Sequence, residues 1–389
     1  MAKKKRKICF VITSFIHYSR NLLVLEELKK RSDVDLHVII AGTALLSKYS
    51  SKHAHIKENL LKDGFKNLYE IHFNLEGSEP TTKAKTAGLG VIEFSSFYNQ
   101  IKPDVVVVRG DRFEVLAATT AASLMGLPVA HIEGGDVSGS IDESIRHAVT
   151  KLSNIHFATN EDSKQRLLSM GENPKYVFNF GSPDIEMAIK FANGRGNTID
   201  VSKTGSGGSV DLKGDFLVVF YHPVTTELHN IKKNTQTLID SIHELGIPTI
   251  WFWPNFDTGA EEISQVLRSF NDNVIGHKIR FMRYLPPKEF LSILNTSTCL
   301  VGNSSSGIKE CSYLGVPVVN IGTRQAKRLR GKNLIDIGHD KNAIKRAIKK
   351  QLKHGKYNVD QTYHKNGTSK NIAQKLACVP LHTQKNFHG

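Results

Sequence analysis

Short, continuously apolar runs recur along this chain, and segments with apolar positions every three to four residues lie between them. KICFVIT, LHVIIAG, VVVVRG, PVAHIEG, HFAT and YVFNFG occupy about the first 185 residues. A strand with one wet face alternates apolar and polar positions. Runs that are apolar throughout predict strands buried on both faces of a parallel sheet. Helical patterns are predicted over 21–30, 113–125, 142–152 and 163–170. Such βα alternation predicts a doubly wound α/β domain.

The pattern stops in NGRGNTIDVSKTGSGGSVDLKG, residues 193–214, which is rich in Gly and Ser and predicts a flexible loop near a domain boundary. It resumes in DFLVVFYHP, IPTIWFWPN, IRFMRYL, CLVGNSSS, PVVNIG and NLIDIG. The expected fold is α/β, with two Rossmann-like doubly wound domains in tandem, over 1–190 and 215–365. A terminal helix and tail, 366–389, are free to cross back to the first domain. Paired domains of this kind take a ligand in the central cleft, at the carboxyl ends of the strands.

A chain of 389 residues suits two domains, and its 40% hydrophobic and 23% charged fractions are those of a globular protein. No window is apolar for the eighteen residues of a membrane helix. The start, MAKKKRKICFVIT, has the order of a signal peptide. Its apolar run is short and β-rich, and no small-residue cleavage site follows, so a basic tail before a first strand is expected. Cys9, Cys299, Cys311 and Cys378 lie far apart, without metal spacing. They predict free thiols and a cytoplasmic protein.

The net charge of +15 admits nucleic acid, an acidic membrane or a small anion as partner. The run Lys3 to Lys7 resembles a nuclear-import signal, but a solvated basic tail is the expected reading. Basic residues four apart in AIKRAIKKQLKHGKY predict the wet face of an amphipathic helix. Neither run has the interleaved aromatics of a single-strand binder. No nucleic-acid or membrane partner is expected.

Chemistry gathers at predicted strand ends. HIEGGDVSGSIDESIRHAV puts Glu133, Asp136, Asp142 and Glu143 within eleven positions, beside Arg146. Asp111 ends VVVVRG, and Glu133 ends PVAHIEG. Close carboxylates cannot both ionise cheaply, so the pair would supply a general acid at neutral pH. Alternatively Asp111 caps the helix that starts near Phe113. Ser140 and Glu143 fit a capping box. Asp142 has two roles open to it, a site position or an i,i+4 pair with Arg146, and Asp136 is expected in solvent.

In the second half, VGNSSSGIKE turns from strand to helix through Ser304, Ser305, Ser306 and Gly307. Such a turn suits a diphosphate or forms an ordinary N-cap. Gly307 would let an anion approach the backbone, and Glu310, a turn further in, would accept ribose hydroxyls. His222 precedes Pro223 and should stand at a strand tip; a structural histidine is the alternative. Arg324 after another strand end binds phosphate or orders its loop.

Taken together, GDRFEVLAATTAASLMGLPVAHIEGGDVSGSIDESIRHAVTKL, YHPVTTELH, WPNFDTG and GNSSSGIKECSYLGVPVVNIGTRQ resemble the hydrolysing UDP-N-acetylglucosamine 2-epimerases of sialic-acid biosynthesis and relatives that make other nonulosonic-acid precursors. The resemblance implies a GT-B type fold, a sugar-nucleotide substrate, no metal, no redox cofactor, and a homodimer or homotetramer. It implies loss of the C2 proton as the nucleoside diphosphate leaves C1, then hydration of the 2-acetamidoglycal to the free 2-epimer. On its motifs Asp111, Glu133, Asp142 and His222 are catalytic. Arg112, Arg146, Ser304, Ser305, Gly307, Glu310 and Arg324 hold the substrate, and Arg283-Tyr284-Leu285 receives the base. Phe15 stands where the family usually has an arginine, leaving Arg20 or His17 to replace it. UDP-N-acetylglucosamine is the expected substrate. UDP- or GDP-N,N'-diacetylbacillosamine is the alternative, and a GT-B glycosyltransferase a more distant one.

Overall fold

The computed structural model describes residues 4–46, 56–77, 79–192, 201, 204–224, 227–254 and 257–388. Lys3, much of the Gly-rich segment (193–200 and 202–203), Thr225 and Thr226 of YHPVTTELH, and Asn255 and Phe256 of WPNFDTG lie outside them. The chain divides into two compact units. One comprises Met1–Val137, Ile141–Met187 and Tyr363–Gly389, the other Ser138–Ser140 and Ala188–Thr362.

The described residues of the first unit form seven strands: β1 Arg6–Ile12, β2 Val34–Ala41, β3 Asn67–Ile71, β4 Val105–Arg109, β5 Val129–Ile132, β6 Ile155–Ala158 and β7 Val177–Asn179. They pair in parallel in the order β3-β2-β1-β4-β5-β6-β7. Helices α1 Phe15–Lys29, α2 Ile56–Lys62, α3 Pro80–Ile101, α4 Phe113–Leu124, α5 Asp142–Leu152, α6 Glu161–Ser169 and α7 Pro183–Phe191 follow the strands. The two-residue period of a strand explains both cores. Ile8, Phe10, Ile12, Val105 and Val107 face α1 and α2, while Cys9, Val11, Val106 and Val108 face α3 and α4.

The second unit repeats this plan. Strands β8 Ser206–Gly207, β9 Leu217–Phe220, β10 Thr249–Phe252, β11 Ile279–Met282, β12 Cys299–Gly302, β13 Val318–Ile321 and β14 Leu334–Ile337 take the order β14-β13-β12-β9-β10-β11-β8. All pairs are parallel except β8 with β11. The described part of the Gly-rich segment is therefore not simply a loop. It adds an edge strand, fixed where the Arg280 guanidinium donates to the carbonyls of Thr204, Gly205 and Gly207. Helices α8 Ile231–Leu245, α9 Ala260–Asn273, α10 Pro287–Thr296, α11 Ser305–Ile308, α12 Glu310–Leu314 and α13 Lys341–His354 complete this unit. The basic stretch forms α13, which buries Ile344, Ala347, Ile348 and Gln351.

The terminal helix α14, Thr368–Cys378, belongs to the first unit, where Ile372, Ala373 and Leu376 join the core beside α1. All four cysteines are free thiols. Among the described residues no helix is long and apolar enough to cross a membrane.

Candidate active site

In each sheet the chain reverses its direction of winding between two adjacent strands, β1 and β4 in one and β9 and β12 in the other. Loops part at the carboxyl ends of such strands, and ligands bind there. The polar residues of both units gather at these points.

In the first unit Ser14 caps α1, accepting from the His17 N–H at 3.1 Å, and Thr13 Oγ1 lies 2.9 Å from His17 Nδ1. Across the switch, Gly110 has φ +80 and leads into Asp111 and Arg112. On neighbouring β5, Glu133 has φ +74, one of few non-glycine residues in the left-handed region. That conformation costs about 1–3 kcal/mol, and it turns the buried carboxylate back across the sheet edge. Gly135 completes the turn at φ +76; a Cβ there would stand 2.3 Å from the Ser163 carbonyl oxygen.

Each carboxylate has its own guanidinium. Arg109, fully buried, donates from Nε to Glu133 at 3.0 Å and from Nη2 to Asp184 at 2.5 Å. Burial acts to lower the Arg109 pKa, but Asp184 and Glu133 outweigh it and the net shift is upward. Arg146, 1% exposed, donates from Nη2 to Asp111. Burial again opposes its charge, and Asp111, Asp136, Glu133 and Asp142 raise its pKa overall. Its Nε and Nη1 have no hydrogen-bond partner among the described residues. Such buried donors call for an acceptor. Asp111 and Glu133 thus each lie against a buried arginine.

His17 is held well below the usual histidine range by burial and by the charges of Arg112 and Arg109, so the ring is neutral. His131 is neutral too, pushed down to about 3 mainly by burial. Its Nε2 donates to the Gly110 carbonyl at 2.9 Å, and Nδ1 accepts from Thr150 Oγ1 at 3.2 Å. It ties β5 to the residue before Asp111 and to α5.

Several sequence expectations change here. Asp111 is not a helix cap: Arg112 holds that position for α4 and binds Glu114 through Nε and Nη2. No capping box starts α5, because Ile141 is its N-cap and no side chain caps there. The partner of Arg146 seen here is Asp111 rather than the i,i+4 residue Asp142. Asp136 is buried, not solvated, and accepts from Thr159 and Ser163 hydroxyls at 2.8 and 2.6 Å. Phe15 packs on the first core, and Arg20 Nε lies 3.7 Å from Asp184 Oδ1. Arg109 and Asp184 were missed. Their signals were a lone charge closing a run of four valines, and an Asp in the first turn after Ser-Pro, where the helix dipole favours it.

In the second unit His222 follows β9 and Asn303 follows β12. The Asn303 side chain accepts from the His222 N–H at 2.8 Å and donates to its carbonyl at 2.9 Å, fixing the backbone of the histidine. Gln325 and Arg324 donate to the Asn303 carbonyl at 2.8 and 3.3 Å, and Arg324 lies 3.9 Å from Asp257. Ser304 is the N-cap, accepting from the Ser306 N–H. Ser305 opens α11, and Ser306 donates to Glu310 at 3.3 Å. The helix breaks at Lys309, so Glu310 begins α12 rather than continuing one helix. A Cβ on Gly307 would come 2.9 Å from Val318, so its smallness also serves packing on β13. Arg283 stacks over Trp253, 5.6 Å from the ring centroid, at the ends of β11 and β10. Among the described residues no group of three or more His, Cys, Asp or Glu is placed to hold a metal ion.

Comparison with known proteins gives these groupings a context. The profile of the family described as UDP-N-acetylglucosamine 2-epimerase matches residues 26–377. A UDP-N,N'-diacetylbacillosamine 2-epimerase (hydrolyzing) of Legionella pneumophila is 34% identical over 379 residues, 97% of each chain. A UDP-N-acetylglucosamine 2-epimerase of Neisseria meningitidis serogroup B is 31% identical, over 96% of this chain and 94% of that one. The crystal structure of the Methanocaldococcus jannaschii UDP-GlcNAc 2-epimerase, in complex with UDP-GlcNAc and UDP, superposes with a TM-score of 0.78 at 19% identity. That superposition covers 95% of this chain and 99% of the other, and it places the fold among the GT-B-like proteins. The match to the family profile spans most of the sequence, and the chain belongs to the UDP-N-acetylglucosamine 2-epimerase family.

Proposed function

We propose that this protein is a hydrolysing 2-epimerase that converts a UDP-linked 2-acetamido sugar to UDP and the free 2-epimer. The observation that carries the reading is the cluster at the first switch point. Asp111 and Glu133 stand just beyond adjacent strands, each against a buried guanidinium.

The C2–H of the sugar is weakly acidic, so elimination needs a positioned base and charge relief on the departing diphosphate. A carboxylate removes the C2 proton, the C1–O bond to UDP breaks, and the electron pair leaves with UDP. Water then adds to C1 of the glycal while a proton returns to C2 from the other face. Asp111, Glu133, Asp142 and His222 divide these transfers. Arg112 and Arg146 neutralise the leaving group or orient the acids, and the unpartnered N–H groups of Arg146 suit an anionic oxygen. Ser304, Ser305, Glu310 and Arg324 hold the nucleotide, with Arg20 or His17 in place of the arginine that Phe15 replaces. Arg283, Tyr284 and Leu285 receive the base. The active protein is a homodimer or homotetramer of the cytoplasm.

N-acetylglucosamine is the sugar that the motifs favour. The 34% identity to a diacetylbacillosamine enzyme supports a second reading, the 2,4-diacetamido sugar. A panel of UDP- and GDP-linked sugars with product identification tests the proposal. Release of UDP and a free 2-acetamido epimer from one member is expected, without any acceptor. Release that depends on an added acceptor would mean a glycosyltransferase, and a product still attached to UDP would mean a non-hydrolysing epimerase.

A further inference from the structure

Beyond α14 the chain continues along the first unit past the carboxyl end of α5 and Gly171. Asn154 donates to the Thr383 carbonyl, the His382 ring lies 4.2 Å from that of Tyr176, and the His388 N–H donates to Gly171 at 3.0 Å. Gly171 has φ +77, and a Cβ on it would come 2.2 Å from the Phe387 ring, so the last residues are closely seated.

Lys385 is the centre of this contact. Its ammonium donates to the carbonyls of Thr150, Lys151 and Ser153 at 2.9, 2.9 and 2.7 Å. The ammonium thus meets three carbonyls at the end of a helix, where a cation complements the helix dipole. Glu172, 1% exposed, lies 2.6 Å from Lys385, 2.9 Å from Lys151 and 2.9 Å from His156 Nε2. Burial would raise the Glu172 pKa, but His156 and Lys385 bring it down to about 2, which keeps it charged.

None of these groups is within the cluster at the switch point, yet they hold the helix that serves it. Asp142 opens α5, and Arg146 lies one turn before Thr150. From Thr150, on the last turn, a second connection runs through His131 to the Gly110 carbonyl, one residue before Asp111. We propose that Lys385 is a positioning residue. By clasping the carboxyl end of α5 it sets the place of Arg146 against Asp111, and so tunes the proton transfers of the reaction proposed above, on which this inference rests.

The test uses the full-length protein with Lys385→Met, which keeps most of the stem and removes the donors, and Lys385→Arg, which keeps the charge. At a temperature where both are folded by circular dichroism, Lys385→Met should lower kcat about ten- to a hundredfold. KM should stay within about twofold, because a transition-state interaction is lost rather than uniform binding. Lys385→Arg should recover part of kcat. Hydrogen exchange on the same folded variants reads the clasp without any substrate: amides of residues 143–149 should exchange faster in Lys385→Met. Unchanged exchange there, or an unchanged kcat with only a lower melting temperature, would overturn the proposal. If the wild-type protein turns over no sugar nucleotide while exchange still responds, the assigned reaction fails and the clasp stands.

Discussion

Glu133→Gln should lower turnover about a thousandfold, within the range measured for loss of a positioned proton-transfer group. The substitution preserves shape and an oxygen for Arg109, 3.0 Å away, and removes only the charge and the capacity to take a proton. Glu133 is 5% exposed and sits at φ +74, where a side chain other than glycine is costly. A position that served only to end a strand would be filled with less strain by glycine, as its two successors are. UDP affinity, measured by calorimetry, should change little, since the variant alters the sugar end of the site. Full turnover by folded Glu133→Gln would remove this residue from the proton transfers.

Arg109→Met should destabilise the first unit by about 3–5 kcal/mol, as the loss of one partner from a buried ion cluster does. Arg109 is fully buried and is the cation shared by Glu133 and Asp184; without it both carboxylates face each other in the protein interior. Its Nη1 also donates to the Arg20 carbonyl at 2.9 Å, so the start of α1 loses a tie to β4. A drop in melting temperature of about 10 °C is expected by calorimetry. Adding Asp184→Asn should recover part of the loss, because one of the stranded charges is then gone. A melting temperature unchanged in Arg109→Met would show that water reaches the cluster and screens it.

The architecture was legible because parallel strands buried on both faces are apolar without alternation, as VVVV in β4 and CFVI in β1 are. Helix ends were legible where a period was clear, as in α5. The candidate site was legible at the level of strand ends: Asp111 and His222 each follow a strand at a switch point, and Glu133 follows the next strand, β5. Partnership was not. Arg146 could be read against Asp142, four residues away, but its ion pair is with Asp111, brought beside it by the pairing of β4 and β5. Asp136 looked solvated between glycines, yet its acceptors are met by hydroxyls from the next βα turn. That the missing Cβ of Gly307 would meet Val318 also had no signal in the sequence. Residue types reveal which chemistry is available; the tertiary pairing of charges decides which groups are held and by what.

The account depends on a proton leaving C2 and returning from the opposite side as the sugar is freed. Running the reaction in heavy water and examining the product by NMR tests this directly. The account predicts a free 2-epimer carrying one deuterium at C2, together with UDP. A free sugar that retains its original hydrogen at C2 would contradict it.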